Sequence, residues 1–560
     1  MDSYLSERIY YETTNSQVNE QKLGFYKKML GEKTLKLLME NTSFQAHIRD
    51  CKYFCKISDN IVDKMFETNV ENNVHELGDL YFQDFYQPLI TIGLNLLKNK
   101  LETKKEYITV SVYSSFERYL AKDLQDICIR TLISEMHLYK NNGLLLGNNS
   151  DEEYNYFCKS VINNSKFLDY LWNKYPVLKR IVFKKIIQTI EYFHQIIFWF
   201  KEDYRQIELK LLKSYDKVKI CSIQSTEGDC HNHSQKVVKV ILNTHEQLIL
   251  KPRSSKAESV FYKFLNLISI QTGSKQFIYN FISYEDHSWC SFVEYISCTD
   301  IEEVKQYYIR IGEQLFLSYL LGIKDLHLEN LISFGEYPVF VDLECFDTVN
   351  KSKKINEING YILNNLSNSV LATGILPTYY WNKEGKGVIC SALSDIPSQE
   401  CPFELPIITC ERSSNMRIEY STAQIKNGNK GVRLNNQPVS LLDFREQIFK
   451  GFIQAYKIVM TEKRFFIDHI YSVDNFKSRV VLEHTQKYAM LLSSSYHPSL
   501  LHDGADREVF LYSIWKGRED IPLSVVKKEV SCLLEGDIPY FYQLVNAKTL
   551  FTKGEIIDEY

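Results

Sequence analysis

The sequence predicts an α+β fold: a long helical N-terminal region followed by a core that mixes strands and helices. Three observations carry this. From Leu23 to about Leu212, apolar residues recur at intervals of three and four, as in YLAKDLQDICIRTLISEMHLY. The run KVVKVILNTHEQLILKPRS instead alternates and is rich in β-branched residues. Helical periodicity then resumes in SLLDFREQIFKGFIQAYKIVM.

Taken in order, residues 1–213 form a mainly helical region, within which prolines are almost absent. A β-hairpin follows, turning at Asn243-Thr244-His245-Glu246 and ending at Lys251. KAESVFYKFLNLI continues it as an amphipathic helix, and the apolar run Tyr337 to Val341 reads as a buried strand. These elements place a core over residues 214–348. Residues 349–560 form a third region, in which Val349 to Asn436, rich in Asn, Ser, Gly and Pro, is expected to consist of long loops before helices return. No internal repeat or low-complexity tail is visible.

With 560 residues, 44% of them hydrophobic, the chain can bury a large core, and its length suits three or four domain-sized units. A formal net charge of -4 with interspersed signs gives no electrostatic footprint for nucleic acid. The start, MDSYLSERIYYE, lacks the apolar stretch of a signal peptide. The most apolar helical run, Ile181 to Phe200, is broken by Lys184, Lys185, Gln188 and Glu191, so no membrane span and a cytoplasmic location are expected. The 13 cysteines are scattered singly, the nearest pair being Cys51 and Cys55, and are expected to be reduced. Cys230, His231 and His233 make a short cluster without distant partners, a weak zinc signal.

The chemistry concentrates in GIKDLHLENLISFGEYPVFVDLECF, Gly322 to Phe346. Singly, each polar residue has an ordinary role: Asp325 as a helix cap, His327 as a core histidine, Asn330 in a turn, Asp342 at a strand end. Together they match what phosphoryl transfer requires, namely one carboxylate near the attacking hydroxyl and further oxygen ligands holding magnesium against the phosphates. Asp325 suits the first role; Asn330 and Asp342, the latter carried by a rigid strand with Glu344 just beyond, suit the second. Lys251, alone a solvated strand-end lysine, precedes them in the order in which two-lobed kinases place their phosphate-contacting lysine, catalytic loop and metal aspartate.

The motifs GDCH, LILKPRS, DLHLEN with VDLE, SVLATGILP, LNNQPVSLLDF and TQKYAMLLSSSYHPSLLHDGADRE, in this order, resemble the dehydratase domain of LanM-type class II lanthipeptide synthetases. The resemblance runs from the helical region onward. It implies a lipid-kinase-like two-lobed core with added helical regions, and an activity that uses ATP and Mg2+ to phosphorylate Ser and Thr of a ribosomally made precursor peptide. Elimination of the phosphate then leaves dehydroalanine or dehydrobutyrine. On this basis Asp325 orients or deprotonates the substrate hydroxyl with help from His327, Asn330 and Asp342 hold Mg2+, and Lys251 touches the ATP phosphates. Asp229 and His231 belong to the active site, while Arg479 and Thr485 in SRVVLEHTQKY match the elimination residues. Without the resemblance, Arg479 would read as a surface arginine and Thr485 as a helix cap.

The chain departs from the family pattern in three places. Glu483 and His484 stand where the family has Arg-Pro, adding a negative charge beside the phosphate site. His233 and Ser234 replace a glycine that would let backbone approach phosphate closely. The sequence stops at Tyr560, close after LLEGDIPYF, and the zinc-dependent cyclase domain of full synthetases is expected to be absent, leaving ring closure to a separate chain or to spontaneous reaction. Two alternatives stand beside dehydration: a peptide Ser/Thr kinase that stops at the phosphoester, and a non-catalytic module that binds leader peptide.

Overall fold

The computed structural model describes residues 24, 26–40, 80–213, 217–226, 228–346, 365–381, 387–394, 398–426, 431–472, 475–545, 549–552 and 554–559. It is a mixed α+β structure in which long helices alternate with several antiparallel sheets. Helices Gln83–Lys100, Ser111–Asn141, Ser165–Lys174 and Pro176–Lys210 fill the described part of the N-terminal region. Pro176 at the first turn and Asn164 capping the amide of Lys166 start two of them, as helix-start chemistry requires. Among the described residues, no helix is long and apolar enough to cross a membrane. Cys51 and Cys55 lie outside the described residues, and the described cysteines are free thiols.

A five-stranded antiparallel sheet follows in the order β1-β2-β3-β5-β4, with β1 Ile220–Ser225, β2 Val238–Leu242, β3 Gln247–Lys251, β4 Phe281–Ser283 and β5 Ser288–Ser291. The β2-β3 pair is the expected hairpin, registered from Val238 opposite Leu250 to Ile241 opposite Gln247, and His245 in its turn adopts φ 67°. Buried Val238, Val240, Leu248 and Leu250 join the same hydrophobic core as the N-terminal helices. The expected helix after the hairpin runs Lys256–Thr272 and stops at Gly273 in the left-handed conformation that a C-terminal glycine supplies.

A second core gathers this helix with helices Ile301–Leu320 and Arg445–Thr461. The latter two cross with their backbones nearly touching: a methyl added at Gly312 would lie 2.0 Å from the Ile448 carbonyl oxygen, and one at Gly451 1.9 Å from that of Ile309. Two small residues therefore fix this crossing. From the end of Ile301–Leu320 the chain passes Gly322 (φ 67°) into the loop before β6 (Leu331–Phe334) and β7 (Tyr337–Phe340), a hairpin turning at Gly335.

The segment expected to be loops departs from expectation where it is described. It contains the pairs β8 (Tyr379–Trp381) with β9 (Gly387–Ile389) and β12 (Arg433–Leu434) with β13 (Gln437–Pro438). Between them β10 (Ser398–Thr409) and β11 (Arg417–Lys426) form a long antiparallel hairpin. Most of its residues are exposed, and polar Glu400, Glu404, Glu419 and Thr422 share the exposed positions with apolar Ile407 and Tyr420, so the strand period does not stand out. A last sheet joins β14 (Lys477–Val480), β15 (Phe541–Leu544), β16 (Thr549–Thr552) and β17 (Glu555–Glu559) in that order.

Candidate active site

Four stretches far apart in sequence meet around Glu344. The Asp325 loop is built first. Asp325 sits at φ 62°, so it caps no helix; its carbonyl accepts from the Asn330 side-chain amide at 2.9 Å and from the His327 backbone N–H at 3.1 Å. The Val341 N–H donates to the Asn330 carbonyl at 2.9 Å, which ties the loop to the end of β7 and brings Asn330 toward Asp342. Asp325 opens to solvent within a wall of protein. That surrounding mass raises its pKa above that of an ordinary aspartate, opposed by His327 and Arg479 and aided by Glu344 and Asp342. His327 is half-buried, and its Nδ1 receives the Glu329 N–H at 3.4 Å.

Lys251, expected alone to be solvated, is instead buried at the end of β3. Its ammonium donates to Glu258 at 2.9 Å and to the Val341 carbonyl. Burial opposes its charge, but Glu258 outweighs that and raises its pKa. Glu258 stands in the first turn of helix Lys256–Thr272 and is fully buried. Burial disfavours its charge too, yet Arg253 and Lys251 hold it at about 2.

Arg253, which the sequence reading quoted without a role, bridges the two halves of the site. Its guanidinium contacts Glu258 at 2.7 Å, Asp342 at 2.6 Å and Glu344 at 3.3 Å. Burial is the largest influence on Asp342 and pushes its pKa up; Arg253 opposes and the charge of Glu344 adds. Asn330 commits its amide nitrogen to Asp325, leaving an acceptor oxygen to offer, and Asp342 keeps 27% of its side chain exposed. An amide oxygen and a partly open carboxylate fit Mg2+, which takes few protein ligands and completes its shell with phosphate oxygens and water. Among the described residues, no group of three or more His, Cys, Asp or Glu side chains forms a metal nest, around Cys230 or elsewhere.

Glu344 is the hub. It pairs with the Arg479 guanidinium and receives the Tyr540 hydroxyl at 3.3 Å, and the Arg479 N–H donates to the Glu344 carbonyl at 2.8 Å. Burial works against the Glu344 carboxylate, but Arg479 and Arg253 hold its pKa at about 2. Arg479 is no surface arginine: β14 presents it 8% exposed, stacked 5.3 Å from the Tyr540 ring, and its pKa is raised by Glu344 against the cost of burial.

His231 packs edge-on against Tyr540, ring centroids 5.2 Å apart. Its Nδ1 is 2.8 Å from the Ile538 carbonyl, a contact only Nδ1–H can make, which leaves the Nε2 lone pair for other work. Burial and then the charge of Arg479 lower its pKa, opposed by Asp229 and Glu344. Asp229 thus acts on His231 through charge, with no hydrogen bond between them. Thr485 stands apart: it is the first residue of helix Thr485–Ser494, with His484 at the cap position, and among the described residues it joins none of the hydrogen bonds around Arg479. Glu483, expected to set a negative charge beside the site, is neutralised by Lys487 at 2.6 Å and Arg518 at 3.7 Å, which hold its pKa down against burial.

Residues 175–543, about two thirds of the chain, match the sequence profile described as "Domain of unknown function (DUF4135)". The chain belongs to that family, the dehydratase region of LanM enzymes. It is also 26% identical over 465 residues to the lacticin 481/lactococcin biosynthesis protein LcnDR2 of Lactococcus lactis subsp. lactis. The alignment covers 78% of this chain and 48% of that protein, so the chain spans about half the length of the curated relative it matches. Asp229, His231, Lys251, Asp325, Asn330, Asp342 and Arg479 of this LanM-family chain all fall inside the matched segment, as do the unforeseen Arg253, Glu258 and Tyr540.

Proposed function

We propose that the chain takes part in lantibiotic biosynthesis as the dehydratase of a precursor peptide, phosphorylating Ser and Thr and then eliminating the phosphate. One observation carries the reading: the Lys251–Glu258 pair and Asp342 are joined to Arg479 through two shared residues, Arg253 and Glu344, with the Asp325–Asn330 loop tied to the end of β7 and His231 packed on Tyr540, which also contacts Glu344 and Arg479. A strand lysine paired with a helix glutamate, ahead of an Asp/Asn/Asp set, is the arrangement a kinase-like core uses to orient a nucleotide, and it supports assigning residues 214–348 to such a core.

ATP with Mg2+ would supply the transferable phosphoryl group, held by Lys251, Asn330 and Asp342. Asp325 orients the peptide hydroxyl and accepts its proton as the oxygen attacks the γ-phosphorus and the bond to ADP breaks. Its raised pKa makes it a stronger base than an ordinary aspartate. In the second half a proton leaves the α carbon as the β-carbon–oxygen bond breaks, forming the alkene and free phosphate. His231, whose lowered pKa favours its neutral form, takes that proton on Nε2, and Arg479 stabilises the departing dianion. Thr485 and residues 349–560 as an elimination region complete the proposal on the family resemblance. A ribosomally made precursor peptide is the partner this reading requires.

The test is intact mass. The purified chain is incubated with ATP, Mg2+ and a Ser/Thr/Cys-rich peptide encoded beside its gene. Loss of water at each modified residue is expected. Phosphate gain alone would establish the kinase reading instead, and unchanged mass with tight binding would establish a leader-binding module.

A further inference from the structure

The loop that carries His231 has an unusual backbone. Asn232, His233 and Ser234 follow one another at φ 45°, 69° and 65°, three successive non-glycine residues in the left-handed region. Asparagine, and to a lesser degree histidine, visits that conformation; serine rarely does, and a run of three such residues is uncommon. The turn is closed at its base, where His231 and Gln235 exchange both backbone hydrogen bonds at 2.7 and 2.8 Å. Its tip needs a further restraint, because a run of three left-handed residues would otherwise relax and carry the imidazole with it.

Asp537 meets that need. Helix Leu523–Leu534 ends with Gly536 at φ 85°, and the next residue, completely buried, aims its carboxylate into the turn. One oxygen accepts the His233 N–H at 2.7 Å and the other the Ser234 N–H at 2.8 Å. Ile538 adds two bonds: its N–H donates to the Cys230 carbonyl at 2.8 Å and its carbonyl takes the His231 Nδ1–H. Asp537 and Ile538 therefore hold both the shape of the turn and the imidazole tautomer. Two residues later the same segment supplies Tyr540, whose ring contacts both His231 and Arg479.

We propose that Asp537 is a positioning residue for the elimination half of the reaction, holding the left-handed turn so that Nε2 of His231 faces the site of Arg479. This rests on the proposed dehydratase reading. Asp537 does not touch substrate; it acts by accepting two amides that no neutral side chain of its size could accept together. In asparagine one of the two positions becomes an N–H donor pointed at another N–H.

The test separates the two half-reactions. Peptide phosphorylated beforehand reports elimination, and fresh peptide with ATP and Mg2+ reports phosphorylation. Asp537→Asn should slow elimination by about tenfold or more, the cost of one lost charge-assisted bond and one repulsion, with phosphorylation within about twofold of the parent. Hydrogen exchange of the 229–236 segment should accelerate by a similar factor, a readout that needs no activity. In Asp537→Ala, adding His233→Gly should restore part of the lost elimination, because glycine holds the turn without strain. Parental elimination in Asp537→Asn, unaltered exchange, or phosphorylation falling in step with elimination would each overturn the proposal. A parent that forms only phosphopeptide would overturn the dehydratase reading and the role in elimination together; the exchange measurement then decides separately whether Asp537 holds the turn.

Discussion

Replacing Glu344 with glutamine removes the charge on which the two arginines converge while keeping the shape of the side chain. Its ordinary carboxyl pKa is 4.5 and it is held at about 2 in the folded chain, where it is 16% exposed. That difference corresponds to roughly 3 kcal/mol of folded-state stabilisation of the charged form, similar to the ~3–5 kcal/mol cost of breaking a buried ion pair from one side. Because the folded value is depressed, the contribution is complete above the unfolded pKa and disappears as pH falls through the folded one. It should be roughly 3 kcal/mol near pH 7 and about half that near pH 3. Urea denaturation of parent and Glu344→Gln at both pH values measures it; guanidinium would screen the ion pairs under study. The variant should be less stable at neutral pH, and the gap should narrow on acidification. A difference below about 0.5 kcal/mol at pH 7, or a gap that widens in acid, would refute the view of Glu344 as the charged hub.

Asp342→Asn and Asn330→Ala should each abolish phosphorylation with a native circular-dichroism spectrum, since each removes or weakens a hard oxygen ligand without touching the β6-β7 hairpin. Asp325→Ala should lower phosphorylation by roughly two to four decades in a single-turnover assay, the scale of a lost positioned base. Arg479→Ala should accumulate phosphopeptide, seen as a phosphate mass gain that is not followed by loss of phosphoric acid, because the phosphoryl-transfer residues lie elsewhere. Gly451→Ala should destabilise the fold by more than ~1–3 kcal/mol in the same urea assay or prevent folding, since its methyl would sit 1.9 Å from the Ile309 carbonyl oxygen.

Several features were legible because they are local. The hairpin ending at Lys251 and the helix after it followed from periods of two and 3.6 read over a few residues. Asp325, His327, Asn330 and Asp342 lie within 18 consecutive residues, so their grouping needed no knowledge of the fold. The β10-β11 hairpin was missed because a largely exposed pair of strands carries polar residues on both faces and loses the alternation that marks a buried one.

The sequence by itself determined the helical N-terminal region, the hairpin and helix around Lys251, and the residue types that phosphoryl transfer needs. Only the tertiary structure decided that Arg253 reaches Asp342 and Glu344, that Glu344 faces Arg479 across 135 positions, and that Asp537 grips a turn more than 300 positions earlier. The physical reason is that periodicity records which face of an element is buried, a property of neighbours in the chain, whereas an ion pair depends on where separate elements cross. Those crossings are set by packing such as that of Gly312 on the Ile448 backbone, which brings together charges that no short stretch of sequence relates to one another.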